Sequence, residues 1–152
     1  METISKTKTV KKVKTMKTIN ATKGDFVNLV NGLYQVQEVK GKDFSLIVSK
    51  NISILHEALK EIEEAGAPSE EFIKLANEVN EINNNGEPNA KEVIEALEKE
   101  NEKLVKARRE QLDNVAELMK EEIEIDLKIL SEDILPEDIT AKQINNIIKI
   151  IE

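Results

Sequence analysis

The sequence predicts a mainly α fold of the α+β class: helical hairpins or a bundle with one long helix, plus a small sheet pairing an N-terminal strand with a strand near residues 123–129. Three observations predict it. Five Gly and three Pro in 152 residues are too few for an all-β chain of tight turns, and the excess of Glu, Lys, Leu, Ile and Ala favours long helices. Apolar residues recur at i, i+3, i+4 through the middle of the chain. Finally, Ile123-Glu-Ile-Asp-Leu-Lys-Ile129 alternates strictly, with Ile123, Ile125, Leu127 and Ile129 on one face and Glu122, Glu124, Asp126 and Lys128 on the other, which is the strand period.

Residues 3–19 are rich in Thr, Lys and β-branched side chains, which suits an extended strand. Val10, Val13, Met16 and Ile19 recur every three residues, so the facing of this strand is not fixed by its pattern. Met1-Glu-Thr-Ile4 resembles Met16-Lys-Thr-Ile19, so the first fifteen residues read as a basic extension in front of a single helical domain over 16–152. Helix one is expected after Thr22 or Asp25 and up to about Lys40, with Phe26, Leu29, Val30, Leu33 and, towards its end, Val36 as candidates for its stripe. Gly41 would follow it as a left-handed C′ residue, and Asp43 would cap helix two over 44–65. That helix presents Phe44, Ile47, Val48, Ile52, Leu55, Leu59 and Ile62 on one face. Gly66 ends it, and Ser69 caps helix three over 70–83, whose first turn is acidic.

The loop Asn83-Asn84-Asn85-Gly86-Glu87-Pro88 is the clearest in the chain. Asn89 would then cap a fourth helix over 90–121, about 50 Å long at 1.5 Å per residue. Its stripe of Val93, Ile94, Leu97, Leu104, Leu112, Val115 and Met119 is interrupted by Asn101 and Arg108, a half-buried or coiled-coil-like pattern. Leu135-Pro136 breaks the chain after the strand, and Thr140 caps a last helix over 141–151. One strand is not stable alone. The acidic strand at 123–129 therefore needs the basic segment around 7–19 as its partner, with opposite charges paired across the ladder.

Charge divides the chain. Residues 1–23 hold seven lysines against one acid, a net of +6; the whole chain is −8, so residues 24–152 carry −14. Cysteine is absent, which excludes disulfides, thiolate metal sites and a cysteine nucleophile. No apolar signal region and no run of 18 apolar residues is present, so a cytoplasmic setting without membrane insertion is expected. Asn20-Ala-Thr22 and Asn51-Ile-Ser53 match the glycosylation sequon and are read as chance matches in a chain without a secretory signal.

The order of features is distinctive: a Lys-Thr-Ile strand start, Gly24-Asp25-Phe26-Val27-Asn28-Leu29-Val30-Asn31, Val39-Lys40-Gly41-Lys42-Asp43-Phe44, and a helix carrying Lys50-Asn51. Towards the end come Glu121-Glu122-Ile123-Glu124-Ile125-Asp126-Leu127 and Leu135-Pro136-Glu137-Asp138-Ile139-Thr140 before an Ile-rich terminal helix. This order resembles an uncharacterised family of small proteins of phages and prophages of Gram-positive bacteria, over about residues 16–151. The resemblance implies a mobile-element origin and an accessory role in the bacterial cytoplasm or the virion. It assigns no catalytic residue.

The chemistry-bearing residues are few. His56 is the only histidine, and neither an orienting partner nor a nucleophile is identifiable beside it. Glu121, Glu122, Glu124 and Asp126 are oxygen ligands of the kind that suits Mg²⁺ or Ca²⁺, but no EF-hand loop accompanies them, so a solvated or lysine-paired face is expected. The N-terminal lysines carry phosphate-binding charge without aromatics for stacking, and the −14 body repels a polyanion. Neither an enzyme nor a cofactor is expected, and neither nucleic acid nor membrane is expected as a partner. The reading is a non-enzymatic protein-interaction module, structural or accessory in a phage particle and binding phage proteins or itself. The contact residues it singles out are Leu97, Leu104, Leu112, Lys11, Lys12 and Lys14. The alternative is an inhibitor of a host defence protein that acts through its acidic surface as a polyanion mimic.

Overall fold

The computed structural model describes residues 15–152 and has the mixed fold expected: seven α-helices among the described residues and a two-stranded antiparallel sheet. In chain order the elements are β1 (Met16–Thr22), α1 (Lys23–Gln35), α2 (Lys42–Ala58), α3 (Lys60–Gly66), α4 (Glu70–Asn84), α5 (Ala90–Glu100), α6 (Glu102–Met119), β2 (Glu122–Lys128) and α7 (Ala141–Asn146). Short 3₁₀ turns follow β2 and α7, over Glu132–Ile134 and Ile148–Ile150. Two compact units result: the chain up to Lys60 together with Lys120–Glu152, and Glu61–Met119. Lys11, Lys12, Lys14 and the first part of the expected strand lie outside the described residues.

In the first unit, Thr22 turns strand into helix. Its hydroxyl accepts the Asp25 N–H at 3.1 Å and its own N–H donates to Asp25 Oδ2 at 3.2 Å, a reciprocal capping box. These bonds, with the positive charge of Lys149, hold the Asp25 carboxyl below its ordinary value of 3.8. A carboxyl lowered on folding contributes stability above its unfolded pKa and loses that contribution as pH falls through the lower folded value. Asp25→Asn keeps an acceptor for Thr22 N–H and removes the charge. Its stability relative to the parent chain is expected to be lowest at neutral pH and to converge on the parent's below pH 3.8. A pH-independent difference in urea titrations would refute this.

The helix boundaries differ from the sequence expectation in instructive ways. The first helix stops at Gln35 rather than Lys40, and the chain turns over Val36–Glu38 so that Val36 is buried. Gly41 is not the C′ residue of that helix. It is the N-cap of α2, at φ 147°, where a side chain would be strained. Asp43 accordingly lies in the first turn of α2 and does not cap it. Helix two ends at Ala58, and α3 restarts after Leu59. The terminal helix is shorter than expected, Ala141–Asn146, although Thr140 caps it through a second capping box with Gln143.

The sheet pairs Met16 with Lys128 through Thr22 with Glu122. Ile19, Ile125 and Leu127 are buried on one face, while Thr18, Asn20, Glu122, Glu124 and Asp126 are exposed on the other, as the alternation of β2 requires. The charge pairing differs from expectation. The acids of β2 stand opposite Thr22, Asn20 and Thr18, not opposite lysines. Thr18 Oγ1 donates to Asp126 Oδ1. The lysines pair at the sheet's two ends instead: Lys17 with Glu152 at 3.8 Å, and the 8% exposed Lys23 with Glu121 at 2.6 Å.

The apolar face of the sheet meets the helices: α1 packs on β1, α2 and α7, and α2 packs on β2. Phe26, Leu33, Leu55, Leu127, Leu130 and Ile147 are fully buried there. At Gly32 the approach of α1 to α7 is so close that a Cβ would lie 2.8 Å from the Asn146 carbonyl oxygen. The C-terminus closes part of the sheet: Leu130 N–H donates to Ile150 O at 2.8 Å and Glu152 N–H to Leu130 O at 3.0 Å, a parallel bridge.

The second unit is all helical, with α4 packed on α5 and α6. Ser69 caps α4 by accepting the Phe72 N–H at 3.1 Å. The single 90–121 helix does not form. Asn101 interrupts it, its Nδ2 donating to Leu97 O at 2.9 Å, so that a side chain competes for a carbonyl the helix would use. Asn89 is the N-cap of α5 by position and makes no side-chain capping bond.

Candidate interaction surfaces

The residues singled out for contact fall on α5 and α6. Neither helix contains a single buried residue. Leu97 and Leu104 are half-buried, Val93 is 39% exposed and Leu112 is 49% exposed. The interrupted apolar stripe is therefore covered on one side only, and Ile62 and Leu75 are the buried apolar side chains of the second unit. The opposite condition holds in the first unit, whose helices and sheet bury the remaining core.

Arg108, which the sequence reading treats as a break in the stripe, is a fastening. Its Nη1 donates to Gly66 O at 2.8 Å and to Gln111 Oε1 at 2.8 Å, and its guanidinium stands 5.5 Å from the centre of the Phe72 ring. Gln111 Nε2 donates to Ala67 O at 2.7 Å. Together they tie the end of α3 and the start of α4 to α6. The next turns of α6 carry charges of both signs: an open hollow of about 510 Å³ is bordered by Glu98, Glu102, Lys106, Arg109, Glu110 and Asp113.

The acidic residues of β2 do not converge. Glu122, Glu124 and Asp126 alternate along one strand face, and no group of three or more Asp, Glu or His among the described residues is placed to hold a metal ion. His56 lies on an exposed part of α2 with Tyr34, whose hydroxyl is hydrogen-bonded to His56 Nε2, the rings meeting edge to face at 5.8 Å between centroids.

Asn51 is the polar residue that sequence reasoning missed. It is 0% exposed, and its amide reads the backbone of β2 in both directions: Lys128 N–H donates to Oδ1 at 2.8 Å and Nδ2 donates to Lys128 O at 2.9 Å. The signal was its position, three residues after Val48 and four before Leu55 on the apolar stripe of α2. The same burial excludes the Asn51 sequon from modification in the folded chain.

No helix among the described residues is long and apolar enough to cross a membrane. Comparison of the chain with protein-family models, with curated proteins and with solved structures finds no match.

Proposed function

We propose that the protein is a non-enzymatic protein-interaction module of phage type, acting in the bacterial cytoplasm or in the virion as a structural or accessory component. One observation carries this reading: the 90–119 stretch keeps an apolar stripe through two helices yet fully buries none of it. An amphipathic helix gains most of its stability from burying its apolar face, and a face left half-covered on a soluble chain is the usual mark of a partner surface. The mixed charges beside it, Glu98 and Glu102 against Lys106 and Arg109, suit the rim of a protein contact. The N-terminal lysines Lys11, Lys12 and Lys14 add an opposite charge for an acidic partner. The resemblance of its motif order to small phage and prophage proteins is the ground for the phage assignment.

The test uses the full chain with Leu97, Leu104 and Leu112 changed together to Glu. Circular dichroism is expected to be retained, because none of the three is fully buried, while capture of phage proteins in a pull-down is expected to be lost. Unchanged capture with the three acids in place would overturn the reading.

A further inference from the structure

The sheet has two outer edges, and the fold treats them differently. Ile129 N–H donates to Thr15 O at 3.0 Å and Lys23 N–H to Glu121 O at 2.8 Å. In an antiparallel ladder such exchanging pairs recur every second residue. With the register given, the odd-numbered residues of both strands therefore bond across the pair, and the even-numbered residues point their N–H and C=O groups outwards. On β2 this outer edge is managed. Asn51 satisfies Lys128, the C-terminal residues satisfy Leu130, and the side chains at the remaining positions, Glu122, Glu124 and Asp126, are all acidic. A second β2 laid against that edge would set acid near acid, a recognised device against edge pairing.

On β1, among the described residues, the one such device is Lys17, which lies on the face towards the helices and is paired with Glu152. The outward backbone groups belong to Met16, Thr18 and Asn20, and no described residue pairs with them. Their side chains are uncharged, and the strand has neither a proline nor a bulge there. Met16 and Thr18 border an open hollow of about 570 Å³ together with Asp126 and Glu152. The open stretch ends at Thr22, whose N–H is taken by Asp25 Oδ2.

We infer that β1 is a self-pairing edge: a second copy of this chain adds its own β1 antiparallel to it, about a two-fold axis at Thr18, to make a four-stranded sheet. That register alone uses the open residues completely. Thr18 exchanges bonds with its equivalent, and Met16 exchanges with Asn20 in both directions, so three open residues satisfy three. No like charges meet on the exposed face, and Lys17 on the other face already has Glu152 as its counter-ion. Main-chain pairing at an exposed edge is a common mode of recognition, and a two-stranded sheet gains cooperativity when strands are added. This surface is separate from the helical stripe over 90–119 and does not rest on it.

The chain has no cysteine, so a single introduced thiol reads the register directly. Directly opposed residues that exchange hydrogen bonds have Cα atoms about 5.5 Å apart, within disulfide reach. Thr18→Cys is expected to form a disulfide-linked dimer on mild oxidation, while Asn20→Cys, which would face Met16, does not. Sedimentation of the parent chain is expected to give twice the 17.2 kDa chain mass, and Thr18→Lys, which places two cations at the axis, is expected to return it to one. A monomeric parent chain, equal cross-linking at both positions, or a dimer that survives Thr18→Lys with circular dichroism intact would overturn the inference. The triple Glu variant at Leu97, Leu104 and Leu112 separates the two surfaces: cross-linking through Thr18→Cys persists in it if the edge pairs independently, and its disappearance there counts against the edge.

Discussion

Asn51→Leu is expected to lower the unfolding free energy by about 3 kcal/mol, although it swaps a polar residue for an apolar one in the core. The reason lies in what it leaves behind. Leucine is close enough in size to occupy the space, and burial of its extra apolar surface is favourable by about 25 cal/mol per Å². But Lys128 N–H and Lys128 O lose their partners at 2.8 and 2.9 Å, and a buried backbone group left unsatisfied costs about 1–3 kcal/mol. Two such groups outweigh the gain. In a chain of this size the loss corresponds to a fall in Tm of about 9 °C, with an earlier urea midpoint.

Asn51→Asp separates hydrogen bonding from packing. The carboxylate retains an acceptor for Lys128 N–H and has no hydrogen to offer Lys128 O. Burial and the facing carbonyl both favour the neutral acid, so its folded pKa is raised above the unfolded value of about 3.9. A raised carboxyl contributes stability below its unfolded pKa and loses it as pH rises through the folded pKa. The variant is therefore expected to be as unstable as Asn51→Leu at neutral pH and to recover towards the parent as pH falls to about 4. A loss below about 1 kcal/mol for the leucine variant, or no recovery of the aspartate variant, would show that the edge of β2 is satisfied by another route.

The residue illustrates which parts of this fold are legible in the sequence. Ser69 and Thr140 were legible as caps, each bonding to a backbone group three residues on, while Thr22 was one of two starts that the pattern offered for the first helix. The faces of β2 were legible because period-two alternation is a local pattern. Its pairing with the N-terminal strand followed from stability, since a lone strand has to find a mate. What escaped was set by contacts distant in sequence. Asn51 and Lys128 are 77 positions apart, and nothing near either one announces the other. The lysine–acid ladder was inferred from net charge. The register puts threonine and asparagine opposite the acids because the strand begins at Met16, beyond most of the lysines. Gly41 was assigned to the wrong helix because a glycine at positive φ serves an N-cap as readily as a C′ position. Asn101 was noticed as a break in hydrophobicity, but its consequence for the backbone depends on where its amide reaches. The half-covered state of the stripe through Leu97, Leu104 and Leu112 was legible for the converse reason: an apolar stripe with charged interruptions is too weak to bury itself, and α5 and α6 leave it partly exposed.

That contrast sets the second large effect. Leu127→Ala is expected to cost about 3 kcal/mol, since Leu127 is 0% exposed on the sheet face against the helices and leucine truncation in a packed core costs about 2–5 kcal/mol through lost transfer energy and the remaining cavity. Leu112→Ala, at 49% exposure, is expected to stay within about 0.5 kcal/mol of the parent. Tyr34 makes the first of these measurable without a label. It is the chain's only tyrosine, tryptophan is absent, and it sits on α1 in the same unit as Leu127, so its fluorescence reports the unfolding of that unit while circular dichroism follows the helices of both. In urea, Leu127→Ala should move the Tyr34 transition to lower denaturant. Leu112→Ala should leave both transitions in place and weaken only partner capture. If Leu112→Ala instead destabilised the helical signal by as much as Leu127→Ala shifts the tyrosine signal, the stripe on α6 would be a core in its own right, and the case for a partner there would fall.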